Sequence, residues 1–350
     1  MWREGVETIP PKLSICIATY NRGRFIGETL DSILSQPLED VEIVVVDGAS
    51  PDETPAAVAP YLQAHPGIRY YREAENSGVD RDYDKAVGYA RGEYCWLMTD
   101  DDLMAPGAVS RVLEAIGGSP ELVVVNAQVR NHDFSKVLQE RMLDFRADRD
   151  YGPEDGERFF SEAAGYLSFI GGVVIRRELW LRRDRAPYFG SLFIHIGVIF
   201  QHPPLRRIRA IAEPLIVIRY GNAMWTSRSF EIWMFKWPEL IWSFGDFSDR
   251  AKGRVYPREP WKEVRKLVFF RATGGYTPAE YRRLLRGGLD GASRLLPWAI
   301  GRVPAPVMNF ISALYCIARG RKARTGMYDL SRCGNATWAS RIGARILGVG

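Results

Sequence analysis

Three consecutive aspartates, Asp100, Asp101 and Asp102, follow an apolar run in "EYCWLMTDDDLMAPG", residues 93–107. Carboxylates that close disfavour one another's ionisation, and a folded chain tolerates the crowding when a cation offsets it. Side chains alternate along a strand, so if the strand runs on into the triplet, Asp100 and Asp102 face one way and Asp101 the other. Two carboxylates on one side of a strand end suit a hard divalent ion, Mg2+ or Mn2+, with places left for phosphate oxygens and water. Asp47 closes another apolar run, "VEIVVVDG" (41–48), where an acid can meet a nucleotide lying beyond the ends of parallel strands. On residue types alone a plainer assignment also fits, with Asp102 capping a helix near Pro106 and its neighbours solvated.

Positioning these acids requires a regular frame, and the pattern up to about residue 105 supplies one. "LSICIATY" (13–20) is nearly continuously apolar, as a strand buried on both faces must be, and "FIGETLDSILSQ" (25–36) spaces its apolar residues as a helix. After the strand at 41–48, Ser50, Pro51 and Glu53 predict a capped helix start. "IRYYREA" (68–74) predicts a third strand, "DRDYDKAVGYARG" (80–92) a helix closed by Gly92, and "EYCWLM" (93–98) a fourth strand. Such alternation predicts a mostly parallel α/β sheet flanked by helices. Beyond it, 106–118 reads as helix, 121–130 as strand, 131–165 as loop and helix pieces, and 165–180 as a strand or turn around Gly171 and Gly172, then a helix.

The chain of 350 residues is 46% hydrophobic and 25% charged, an ordinary composition with enough apolar residues for a sizeable core. Its opening residues lack a signal-peptide pattern, so no export is expected. Cys16, Cys95, Cys316 and Cys333 are irregularly spaced, which argues against a disulfide framework or a zinc site and for buried thiols in a reducing compartment. Charge is divided unevenly: residues 1–249 carry 27 Lys and Arg against 37 Asp and Glu, and residues 250–350 carry 20 against 5. From about 226 the sequence turns helical, aromatic and basic, which sets a domain over 1–225 before a helical region over 226–350. The longest apolar stretch there, 305–318, is shorter than the roughly 20 residues that span a bilayer. A helix with Trp298, Phe310 and Leu314 on one side and Arg302, Arg319, Arg321 and Lys322 at its ends can lie among lipid headgroups, or pack its stripe on the preceding domain.

"SICIATYNR" (14–22), "VVVDGASPDET" (44–54), "ENSGVDRDYDKAVGYARGEY" (75–94) and "LMTDDDLMAPG" (97–107) occur in the order and spacing of the amino-terminal half of family 2 glycosyltransferases with the GT-A fold, which the chain resembles. The aromatic-rich versions "GVDRDYDKAV" and "CWLMTDDD" are similar to the branch of abequosyltransferase-like O-antigen enzymes. The resemblance implies a catalytic domain over 1–225, with a nucleotide-sugar half (1–105) and an acceptor half (106–225), and a metal-dependent, inverting transfer of one sugar from a nucleotide-diphosphate sugar to a saccharide acceptor, polyprenyl-linked, in surface polysaccharide synthesis. It implies a cytoplasmic location, peripheral on the inner face of the membrane if the tail meets lipid. Thr19, Tyr20 and Asn21 match the strand end that touches the nucleotide, Asp47 the carboxylate that reads base or ribose, and Asn76 and Gly78 the loop near ribose and phosphates. Asp100 and Asp102 match the metal-binding pair, with Asp102 or Asp101 the principal ligand, and Asp100 and Asp101 also border the nucleotide sugar.

Two stretches depart from the family's pattern. Where many members carry small residues and an Arg-Asn pair, this chain has Asp80 to Lys85; Arg81 and Lys85 share a helical face and can reach a diphosphate, or form a salt-bridged face with Asp80, Asp82 and Asp84. Where the family supplies a Glu-Asp pair with the catalytic base, "YFGSLFIHIGVIFQH" (188–202) has no acid, leaving His195 as the expected base, with His202, Asp155 and Glu157 as alternatives. A histidine between Ile194 and Ile196 also fits a core position. Two other functions share some features: a sugar nucleotidyltransferase, for which "YNRGRF" lacks a glycine cluster, and a non-catalytic protein binding nucleic acid through the basic tail, for which apolar helical spacing fits poorly. No nucleic-acid partner is expected.

Overall fold

The structure, a computed structural model, describes residues 10–222 and 228–350. The domain boundary expected between 225 and 226 therefore lies outside the described residues, as does most of the opening segment. Two compact units divide the chain, one of residues up to 128 with 141–218, the other of 129–140 with 219–350.

In the first unit, β1 (Leu13–Thr19) buries all seven residues, and β2 (Val41–Asp47) and β4 (Tyr94–Met98) flank it in parallel, with β3 (Ile68–Arg72) parallel on the far side of β2. β-Branched and aliphatic residues fill these strands because both faces are covered, which removes the alternation that a half-exposed strand needs. Of the intervening helices, α1 (Gly23–Leu34) buries Ile26, Thr29, Leu30 and Ile33, as helical spacing predicts; α2 (Thr54–Ala64) and α3 (Val79–Tyr89) follow. α2 begins later than Ser50 and Pro51 suggest. The Ser50 N–H is taken by the Asp47 carboxylate (2.8 Å), and the Thr54 N–H by Asp52 (3.0 Å), so the turn belongs to the strand end and not to a helix cap.

Along the sheet the order is β3-β2-β1-β4. The chain walks outward from β1 to β3 and then returns to the other side of β1, so the crossovers diverge above the carboxyl ends of β1 and β4. In an open α/β sheet a ligand crevice forms at such a switch point.

The sheet then becomes antiparallel, continuing β4-β9-β6-β10-β5. These elements are β5 (Leu103–Met104), α4 (Ala108–Gly117), β6 (Leu122–Asn131), β7 (Val137–Gln139), β8 (Arg149–Tyr151), α5 (Gly156–Ala163), β9 (Val173–Arg176), α6 (Arg177–Arg182), α7 (Ile194–Phe200) and β10 (Ile208–Tyr220). β8 pairs with β10 and β7 with β6. β7 and β8 fall in the stretch expected to be loop and helix pieces; at three residues each they are too short to display a period.

The second unit holds β7 and α8 (Ser229–Glu231), α9 (Trp237–Ser243), α10 (Asp249–Val255), α11 (Val264–Thr273), α12 (Pro278–Glu280), α13 (Leu295–Arg302), α14 (Ala305–Arg319), α15 (Arg324–Arg332) and α16 (Trp338–Ile346). The single helix expected to carry both Trp298 and Leu314 is two: Pro304 ends the run, and the segments on either side meet at 96°. Among the described residues no single helix is long and apolar enough to cross a membrane. The four cysteines are free thiols, three buried and Cys333 half-buried.

Candidate active site

β1 brings Thr19 level with Asp47 of β2, and its other neighbour β4 ends at Met98, so both acidic clusters flank one strand end. The β1–α1 turn bends through Asn21, whose positive φ of 57° an asparagine accepts more readily than most residues, and the Asn21 N–H donates to Ser50 Oγ (3.0 Å). This fold-back aims Arg22 at the aspartates. Its Nε lies 3.6 Å from Asp100 Oδ1 and its guanidinium 3.5 Å from Asp101 Oδ2, with all three side chains largely buried.

That clamp corrects the alternation expected of the triplet. β4 stops at Met98, so residues 99–102 form a turn, and the carboxylates that converge are Asp100 and Asp101. Asp102 is only 2% exposed; its carboxylate accepts from the Thr99 hydroxyl, and its carbonyl accepts from Thr29 Oγ1 (2.8 Å). It ties the turn to α1. Burial first, then the Asp101 charge, pushes the Asp100 carboxyl up, against the pull of Arg22 and the Thr19 hydroxyl. Two carboxylates facing one guanidinium leave an excess of negative charge, which is the condition a divalent cation relieves. Among the described residues no three His, Cys, Asp or Glu side chains form a ready-made metal cage. The donor set therefore fits an ion held by two carboxylates, with the remaining positions open to diphosphate and water.

Asp47 has no exposed surface. Its Oδ1 accepts from the Ser50 N–H (2.8 Å), its Oδ2 from the Tyr70 hydroxyl (2.5 Å), and Arg72 Nε stands 3.9 Å away. Burial and the Asp47 charge push the Tyr70 hydroxyl up, so it remains a donor. A base or ribose reaching Asp47 has to displace that hydroxyl. Gly48 follows because the Asp82 carboxylate fills the space beside it: a Cβ there would lie 2.6 Å from Asp82 Oδ2. Asp82 is buried and its carboxyl is pushed up by desolvation, with Ser77 Oγ donating to it (3.0 Å).

Asn76 Oδ1 accepts from the Gly78 N–H (2.8 Å), and Gly78, at φ 89°, opens α3 with no atom within 4 Å of where a side chain would be. That bare backbone suits close approach of a ligand. The two basic residues on α3 have other contacts in this conformation. Lys85 Nζ donates to Glu73 (2.6 Å) and Ser77 Oγ (3.0 Å), and the exposed Arg81 stacks over the Phe189 ring at 4.4 Å. Nor do the aspartates of this helix form the alternative salt-bridged face. Asp84 accepts from Trp180 Nε1 (2.8 Å) and pairs with Arg185 (2.8 Å), while buried Asp80 gathers the N–H groups of Gly190 (2.8 Å), Leu192 (2.9 Å) and Ile194 (3.1 Å). Asp80 thereby fastens the 189–194 loop, in which Leu192 holds a strained positive φ of 74°, to the start of α3.

His195 requires a correction. It sits in α7 at 1% exposure, with Nε2 2.7 Å from the Leu167 carbonyl, and so presents no edge to an acceptor. A base has to come within hydrogen-bond reach of the proton it takes. Burial lowers the His195 pKa to about 4, so the ring is neutral and Nε2 is the donor to Leu167. The unfolded chain binds a proton here near pH 6.5 and the folded core does not, so this residue's contribution to stability is complete above pH 6.5 and is lost as pH falls toward 4. At pH 5 the loss is roughly 2 kcal/mol. Urea midpoints at pH 7.5 and 5.0 are expected to drop further for the parent than for His195→Gln; equal drops would place the ring in solvent. Of the alternatives, His202 is exposed after α7, Glu157 is exposed on the first turn of α5, and Asp155 accepts from the Gly152 N–H (2.9 Å). Tyr20 is half-buried beside the crevice.

The roles of Arg22 and Asp80 are absent from the residue pattern taken alone. A basic residue immediately after β1 was a visible signal for the first; nothing local signals that amides some 110 residues further along the chain will converge on the second.

Residues 14–176 match the family model described as glycosyl transferase family 2. The abequosyltransferase RfbV of Salmonella typhimurium is 26% identical over 60% of this chain and 67% of that protein. A Campylobacter jejuni GalNAc(5)-diNAcBac-PP-undecaprenol beta-1,3-glucosyltransferase is 30% identical over 30% of this chain and 34% of that protein, so the chain spans about a third of that relative. The mannosyltransferase PcManGT of Pyrobaculum calidifontis, solved with GDP-Man and Mn2+, superposes with a TM-score of 0.54 at 19% identity, over 97% of this chain and 88% of that one. Identity that low speaks to the fold alone, which is GT-A.

Proposed function

From the premise that residues 14–176 make this chain a member of glycosyl transferase family 2, we propose that it moves a single sugar, with inversion, from a nucleotide-diphosphate sugar to a polyprenyl-linked saccharide in surface polysaccharide synthesis. The observation that carries the proposal is the Arg22-bridged pair Asp100 and Asp101 at the β1/β4 switch point, where the crossovers diverge. In it, Asp100 and Asp101 would hold Mg2+ or Mn2+, Asp47 with Tyr70 and Arg72 would face the nucleoside, and the Asn76–Gly78 turn would approach ribose and phosphates. A bound divalent ion supplies positive charge where the nucleoside diphosphate leaves. Arg22 holds the two carboxylates in place and adds a fixed cation beside the same diphosphate, so little reorganisation is needed as charge develops. The acceptor class draws support from the undecaprenol-linked substrate in the name of the C. jejuni relative, and the location proposed with it is the inner face of the cytoplasmic membrane.

Calorimetric titration of UDP, GDP and CDP, with Mn2+ and with chelator, tests the donor half. One diphosphate is expected to bind with Mn2+ at least tenfold tighter than with chelator. If none binds under either condition, the acidic turn is no donor site and the transferase proposal is wrong for this chain.

A further inference from the structure

Within the second unit, α14 and α16 carry their large apolar residues on the outside. α14 buries Ala305, Met308, Asn309, Ser312, Ala313 and Cys316 and exposes Val307, Ile311, Leu314 and Tyr315. α16 buries Ala339, Ser340, Gly343 and Ala344 and exposes Trp338, Ile342 and Ile346, of which Trp338 is 66% and Ile346 64% accessible. In each helix the exposed residues recur at spacings of three and four, so each forms one stripe.

Apart from Met308, the inward faces are small or polar because the helices pack closely there and are tied by hydrogen bonds. A Cβ at Gly343 would come within 2.4 Å of Met327 Cε. Asn309 Nδ2 donates to the Leu330 carbonyl (2.9 Å), and its Oδ1 accepts from the Thr337 hydroxyl (2.8 Å), which locks α14 to the start of α16. The rings of Phe310 and Trp338, 5.5 Å apart, join the two stripes into one patch. A soluble surface rarely leaves contiguous large apolar side chains open unless something covers them.

Charge identifies the cover. Residues 291–350 contain nine Lys and Arg and a single acid, Asp329, which the Tyr220 hydroxyl engages at 2.9 Å. Arg319, Arg321 and Lys322 are exposed at the end of α14, and Arg341 and Arg345 on α16. An apolar stripe bordered by cations, on two helices that contain no acid, suits acyl chains below and anionic headgroups beside them. We propose that the α14–α16 face is a docking surface for an anionic lipid bilayer, with Ile311, Leu314, Trp338 and Ile342 entering the interface. It deepens the reading of a lipid-linked acceptor and rests on that reading for its purpose, while its chemistry is independent of the donor site.

Sedimentation of the full chain with vesicles tests it, comparing phosphatidylglycerol–phosphatidylethanolamine with phosphatidylcholine alone. Binding to the anionic vesicles is expected, weakened at least tenfold by Ile311→Glu combined with Ile342→Glu, and about fivefold by each of Arg341→Glu and Arg345→Glu. These positions are exposed, so the melting temperature should not move. Equal binding of parent and double variant, or equal binding to both vesicle types, overturns the proposal. So does a parent dimer that the double variant dissolves while neither binds vesicles, since the face then belongs to a second copy. Nucleotide titration separates the two ideas: a double variant that loses vesicle binding but binds nucleotide as the parent does leaves the donor site standing, and a parent that binds anionic vesicles but no nucleotide removes the donor reading alone.

Discussion

Asp101→Asn is expected to lower sugar transfer about a thousandfold while leaving the melting temperature within about 3 °C of the parent. In the proposed reaction a divalent ion held there would contribute several kcal/mol of charge stabilisation, and about 4 kcal/mol corresponds to that factor. Asp101 is a largely buried carboxylate beside the crevice that meets Arg22 at 3.5 Å, and an asparagine amide of the same shape keeps its place while removing the charge. Its removal also takes away the like charge that raises Asp100. The neighbouring Asp102→Asn should behave differently, since a carboxylate 2% exposed and bonded to Thr99 holds the turn itself, so the loss appears first as lowered stability. Initial rates and thermal melts on both variants decide between them. If Asp101→Asn transfers sugar at the parent's rate and Asp102→Asn does not, the ligand pair is the one that strand alternation suggests.

Asp80→Ala should destabilise the protein by about 3 kcal/mol, among the larger effects of a single substitution outside the apolar core. The buried carboxylate takes three backbone N–H groups, from Gly190, Leu192 and Ile194, and removal leaves all three without their acceptor. Leu192 stays at φ 74° because its surroundings over-determine it, and the carboxylate is a principal part of those surroundings. The Phe189 ring, on which Arg81 rests, sits at the head of the same loop. Amide exchange at 190, 192 and 194 is therefore expected to accelerate at least tenfold in Asp80→Ala, and by less in Asp80→Asn, which keeps one oxygen acceptor. Unchanged protection at these amides would mean that the loop is held by its own packing.

Much of the first unit was legible because buried parallel strands leave a local record. The continuous apolar runs at 13–20 and 41–48 are too short for a buried helix and too apolar for a surface loop, and β1 and β2 lie within them. The antiparallel half was less legible. β10, thirteen residues long, contains Glu213 and Pro214 and belongs to no alternation strong enough to stand out, and its pairing is set by strands distant in sequence. The α2 start was misplaced for a related reason: Ser50 has a capping residue's chemistry, but Asp47 and Asn21 claim its backbone and hydroxyl first.

The amino-acid sequence by itself determined the fold class, the order of the motifs and the crowding of Asp100 to Asp102 beside a strand end, because each depends on local composition and spacing. Only the tertiary structure decided which carboxylates converge, since that depends on where β4 stops and on Arg22 arriving from the turn after β1. It likewise decided that His195 is enclosed against the Leu167 carbonyl, and that α14 and α16 turn their large apolar faces outward. An apolar stripe shows that a helix has a side to cover; which side is covered, and by what, is set by neighbours that helical spacing does not name.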